Sequence, residues 1–140
     1  MRLVSGDNHL ISVRDGIVVC QVWVRSDLSA EEGARNAQQM VDYLTQNALR
    51  PGTTYRGLIF DVRRGPAAFG PKTRDSLLTL LSAAARIDMP VAVLAGAAPI
   101  QVVQFKSLCG ATSARAEVFE AEAEAVRWFA SVSPAKRSPP

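Results

Sequence analysis

The stretch Gly65-Pro66-Ala67-Ala68-Phe69-Gly70-Pro71-Lys72-Thr73 is the chain's nearest approach to a reaction centre. A nucleotide-binding loop needs Gly, four residues, Gly, and then Lys and Ser or Thr without interruption. Here Pro71 stands between the second glycine and Lys72. Such a loop cradles phosphate with main-chain N–H groups, and Pro66 and Pro71 each remove one. The stretch therefore reads as an ordinary loop entering a helix that starts on proline. Around it lie Arg63, Arg64, Lys72 and Arg74, the densest basic cluster of the ordered chain. With the free amides of a helix start they would suit an acidic partner or a phosphate group.

Other reactive residue types are scattered. Asp61 stands near the end of a central strand, where α/β proteins place functional groups. A phosphoacceptor aspartate needs further carboxylates after the first strand to hold magnesium. Val22, Trp23 and Val24 occupy that stretch, so Asp61 is expected to bond loop amides. His9 is the single histidine, and Cys20 and Cys109 lack ligand spacing, which predicts no metal site. Nothing in their spacing supports a Cys–His dyad, and there is no Gly-x-Ser-x-Gly elbow. Ser76, Ser82 and Ser107 are expected on helix faces. Trp128 and Phe129 fall at helical spacing with Ala121 and Ala125, which points to core packing and not to a ligand cage. No cofactor is predicted.

The elements that must carry these residues follow from pattern. Residues 1–8 read as a loose leader. His9–Arg14 forms a first strand, Asp15-Gly16 a hairpin turn, and Ile17–Arg25 a second strand rich in Val and Ile. Ser29-Ala-Glu-Glu32 is a capping box. Ala37, Met40, Val41, Leu44 and Ala48 then mark one face of a helix that ends before Pro51-Gly52. Gly57–Val62 is a third, central strand, and Arg63–Gly70 a loop. Pro71 opens a helix to about Ile87 with Leu77, Leu78, Leu81, Ala84 and Ala85 inward. Pro90–Ala95 is a fourth strand. Pro99 starts a third helix that Gly110, in a left-handed conformation, would stop. Ala114–Phe119 is a fifth strand and Glu120–Ala130 the closing helix, with Ala121, Ala125, Trp128 and Phe129 inward. Ser131–Pro140 reads as a disordered tail.

Length and composition agree with one domain. The chain has 140 residues, 48% hydrophobic and 21% charged, which suits one globular core. Of its 16 basic residues, Lys136 and Arg137 lie in the tail, so the folded part nearly balances its 13 acidic residues despite the net charge of +3. That argues against nucleic acid as a partner. Two cysteines are too few for a disulfide framework, no secretory signal is visible, and no apolar run is long enough to span a bilayer. A cytoplasmic protein is expected. Apolar edge strands leave a homodimer open.

The order hairpin, then repeated helix and strand, resembles the STAS and SpoIIAA-like superfamily. So does the ending, Ala116-Glu-Val-Phe119 followed by Glu122-Ala-Glu-Ala-Val-Arg-Trp128-Phe129. The likeness spans roughly residues 9–130. It implies a mixed, mostly parallel five-stranded α/β sheet opened by an N-terminal hairpin, with about four helices. It also implies a non-catalytic regulatory module that binds a protein partner in bacterial signalling. Anti-sigma-factor antagonists of this superfamily are switched by phosphorylation of a Ser or Thr at the start of the helix after the third strand. The matching stretch here is Phe69–Thr73, in which Gly70 and Pro71 replace the hydroxyl residues and Thr73 is displaced. Thr73 is then the candidate phosphosite, and Arg63, Arg64, Lys72, Thr73 and Arg74 the candidate partner or anion surface. The alternative reading is a carrier of a small apolar or lipid ligand. A nucleotide-binding enzyme stands behind both.

Overall fold

The hairpin turn forms as its residues dictate. Asp15 and Gly16 have φ of 53° and 77°, the left-handed pair that matches the twist of the flanking strands. It joins β2 (His9–Arg14) to β3 (Ile17–Trp23), with Arg14 opposite Ile17. A computed structural model describes residues 1–96 and 98–132.

The N-terminus departs from expectation. Arg2–Ser5 is not a loose leader but a strand, β1, paired antiparallel with β2, Ser5 lying opposite Leu10. The cause is the free edge of β2. Main-chain groups of Met1 and Val13 exchange hydrogen bonds there, and Leu3 and Val4 pack against the core. The polar residues that suggested a leader, Asp7 and Asn8, sit in the turn between β1 and β2.

Helices and strands then alternate: α1 (Ala30–Asn47), β4 (Gly57–Arg64), α2 (Pro71–Arg86), β5 (Val91–Leu94), α3 (Pro99–Gly110), β6 (Ala116–Phe119) and α4 (Glu122–Val132). The sheet has six strands, not five, in the order β1-β2-β3-β4-β5-β6. The hairpin pairs are antiparallel, and β3 to β6 run parallel. Each crossover helix steps one strand in the same direction, so crossovers of one hand bring α1, α2 and α3 to the same face. Strand alternation turns Val18, Cys20, Leu58, Phe60, Val91 and Val93 toward those helices. The opposite face, with Ile17, Val19, Ile59, Ala92 and Leu94, is covered by Ala125 and Phe129 of α4.

The local signals perform as their chemistry predicts at most ends. Ser29 Oγ accepts from the Glu32 amide at 3.1 Å, and Glu32 accepts from the Ser29 amide at 2.9 Å. Pro71 and Pro99 each open a helix. Gly110 does not act as expected. It is the last residue of α3, and Ala111 closes the helix in a right-handed conformation with its amide on the carbonyls of Ser107 and Leu108. α4 runs two residues later than its sequence pattern, so Ser131 and Val132 are helical. The rest of the expected tail, 133–140, lies outside the described residues. Ala121 is exposed and Trp128 half-buried, so Ala125 and Phe129 alone are the buried residues of α4. Ser76 is buried in α2, its hydroxyl donating to Gln38 Oε1 at 2.8 Å across to α1.

Candidate binding site

The carboxyl ends of β3 and β4 lead into two loops that face each other, and α3 holds the second of them in place. Gly65 turns the chain at the end of β4, its amide bonded to the Val62 carbonyl at 2.8 Å. Gln101 is buried, and its Nε2 donates to the carbonyls of Val62 at 2.7 Å and Pro66 at 3.0 Å. Its Oε1 accepts the Gly96 amide at 2.9 Å. One helical turn on, Gln104 pairs with both main-chain groups of Phe69, at 3.0 and 3.1 Å. The two glutamines thereby tie main-chain groups of the loop to α3. The Phe69 ring packs edge-on against Phe105, and Phe105 against Phe60, with centroids 5.2 and 5.9 Å apart.

This bracing leaves a cavity of about 60 Å³ beneath the loop, between α1, α2 and the sheet. Its walls include Met40, Phe60, Val62, Phe69, Leu77 and Phe105, and among the described residues no charged side chain lines it. Above it lies a groove of about 280 Å³ between the β3–α1 loop and the β4–α2 loop. Asn8, Val22, Ala37, Pro66, Phe69 and Thr73 line both, which makes groove and cavity continuous. The helix starts on the two sides differ. The α1 amides meet their own capping box, whereas Gly70 gives α2 no side-chain cap and its first turn holds no acidic residue.

The five basic and hydroxyl residues singled out from sequence do not form one surface. Arg63 is engaged with Asp61. Its Nε and Nη2 donate to Oδ1 and Oδ2 at 3.0 and 2.8 Å, and Nη1 reaches the Glu120 carbonyl at 3.4 Å. Arg64 lines a separate depression of about 180 Å³ with Gln21, Trp23 and Asp61. Lys72 lines the cleft between α1 and α2 with Glu31, Arg35 and Asp75. Arg74 is exposed in the first turn of α2. Thr73 alone reaches the groove and cavity, half-buried.

Asp61 accepts the main-chain amide of Arg63 at 3.1 Å together with the Arg63 guanidinium, so its amide partner lies within β4 and not in the loop expected to supply it. Burial alone would push its carboxyl up. The hydrogen bonds from Arg63 outweigh that and hold it below the usual carboxylate range. His9 is buried with its ring against Gly6, and burial lowers it below 6.5 against the opposing pull of Asp7. Its hydrogen-bond partner is Asn8, at 3.4 Å, and not a cysteine. Burial, then Asp61, pushes the Cys20 thiol far up, and burial with Glu117 pushes Cys109 to about 11. Neither is poised as a thiolate at neutral pH. Among the described residues no group of three or more His, Cys, Asp or Glu side chains is placed to hold a metal ion.

Gln101, Gln104 and the cavity residue Asn36 were not singled out by sequence reasoning. α3 did carry a signal. Its glutamine at 101 is inside while Ile100 and Val103 are exposed, so its apolar residues follow no single face.

Fold and site together define an α/β domain whose groove opens at the carboxyl ends of parallel strands. The chain is similar in structure to the protein TM1081, solved by NMR, with a TM-score of 0.59 over 86% of each chain and 12% sequence identity. That likeness concerns the fold. No protein-family model matches the sequence, and no curated protein matches it. Among the described residues no helix is long and apolar enough to cross a membrane.

Proposed function

We propose that the protein is a non-catalytic regulatory module of the STAS or SpoIIAA-like type that binds a protein partner in bacterial signalling. One observation carries this reading. The groove at the carboxyl ends of β3 and β4 is lined mostly by apolar and small residues, with Asn8, Arg25, Ser29 and Thr73 among them, and one of its walls is a loop fixed by Gln101 and Gln104. A pre-formed, largely apolar trough limits the ordering cost of association. Exposed Val24 at 55% and the exposed run Pro66-Ala67-Ala68 extend its rim. Thr73 lies on its floor, so phosphate added there would bring charge into an apolar contact and release the partner.

The test is site-specific photocross-linking in native cells. A photoreactive side chain at Ala68 is expected to yield one defined adduct. The same group at Thr54, in the loop before β4, should yield none. Equal adducts from both positions, or none from either, would overturn the proposal. Thr73→Glu should reduce the Ala68 adduct at least several-fold.

A further inference from the structure

We infer that the cavity beneath the β4–α2 loop is a site for a small, uncharged molecule with a compact apolar body and one head that both donates and accepts hydrogen bonds. The inference goes beyond the protein-partner reading and does not depend on it. Its key residue is Asn36. This side chain lies in the second turn of α1, is 7% exposed, and lines the cavity. Among the described residues no hydrogen bond from the protein reaches its amide. Among the described residues no side-chain polar atom wholly shut off from solvent is left unpaired, so this amide is within reach of a water-sized molecule, and the cavity is the space that Asn36 lines. A molecule in the cavity that supplies a donor and an acceptor can pair with both sides of this amide in place of water. Thr73 is a second polar group at the mouth, where cavity and groove meet.

The walls select the rest of the ligand. They carry no charge, so an ionised head would lose its hydration without a counter-ion. Size sets the body. A cavity of about 150 Å³ holds benzene, so one of about 60 Å³ takes roughly an isopropyl group. Anything longer must run out past Thr73 into the groove of about 280 Å³.

Isobutyramide is the probe, with isobutyrate at pH 7 as its charged counterpart. Each is titrated into the ¹⁵N-labelled full chain and followed by NMR. Isobutyramide is expected to shift the Asn36 side-chain NH₂ and the amides of Phe69 and Thr73 in a saturable manner. Isobutyrate should bind at least ten-fold more weakly. Asn36→Leu should bind isobutyramide at least ten-fold more weakly while its Tm holds or rises, because the Asn36 amide has no hydrogen-bond partner to lose among the described residues. Asn36→Ala keeps the cavity open and should show the same loss, which separates the missing amide from blockage. The proposal is overturned if the two probes bind equally. It also fails if Asn36→Ala binds isobutyramide as the parent does, or if the parent shows no shift up to about 50 mM, a range that reaches even very small ligands.

Discussion

One face of the sheet lies under three helices and the other under a single helix, and the two coverings meet the strands differently. On the α4 face, Phe129 lies so close to Gly57 that a Cβ there would stand 2.5 Å from the ring. Asp61 and Arg63 close the carboxyl end of that face as an ion pair. On the other face, α1, α2 and α3 leave the cavity, with polar groups from Asn8, Asn36 and Thr73 around it. One helix can seat itself against a sheet as a unit. Three helices must also pack on one another, and the loop fixed by Gln101 and Gln104 spans the gap that results. A tightly keyed face suits stability, and a face with room in it suits binding.

The largest expected effect breaks the single-helix face. Phe129→Ala should cost about 3–5 kcal/mol, the range for deleting a fully buried aromatic ring. Urea denaturation would read it as a lower midpoint with an unchanged slope. A loss under about 1 kcal/mol would mean that α4 adds little to this core.

Next comes the brace on the three-helix side. Gln101→Leu deprives the Pro66 carbonyl and the Gly96 amide of a partner. It should cost about 2–6 kcal/mol, at about 1–3 for each of the two groups left unpaired. Hydrogen exchange should quicken at Phe69 and Gly96 while β3 stays protected.

Gly57→Ala tests the close approach on the α4 face from the strand side. Overpacking against Phe129 should destabilise by about 1–3 kcal/mol. The double variant Gly57→Ala with Phe129→Leu should lose less than the sum of the two singles, because the pair shares one contact.

The smallest effects are in pH dependence, and the two faces should titrate in different windows. His9, on the three-helix side, has its folded pKa lowered, so the unfolded chain takes up the proton more readily. Its contribution is present above pH 6.5 and is lost as pH falls from there toward the folded pKa. Asp61 is also depressed, but from 3.8. Its contribution is present above that value and is lost only as pH falls further, through the folded pKa. Tm measured from pH 8 to pH 3 should show both falls, and His9→Gln should remove the upper one alone.

Much of the fold was legible because its signals are local. Asp15-Gly16 fixes a hairpin through two left-handed residues, Ser29 and Glu32 cap α1, and Pro71 and Pro99 start helices. The apolar runs at Gly57–Val62 and Pro90–Ala95 mark the central strands. β1 was not legible, since four residues with two apolar side chains become a strand only when an open edge is beside them. The candidate site was legible only in outline. The loop after β4 and Thr73 line the groove, whereas the basic residues around them, read from sequence as one cluster, do not converge there. Strand alternation and the Asp61 partner send Arg63 and Arg64 elsewhere, and Lys72 turns to the cleft beside Glu31.

Residue order thus determined, β1 apart, which segments are helix and strand, where most of them begin and end, and which side of α1, α2 and α4 is apolar. These are properties of neighbours a few positions apart. The pairing of Gln101 with Pro66, the exposure of the Asn36 amide to a cavity, and the seating of Phe129 on Gly57 were decided by tertiary structure. Each depends on groups far apart in the chain meeting at a set distance, and side-chain type alone does not encode where its partner will stand.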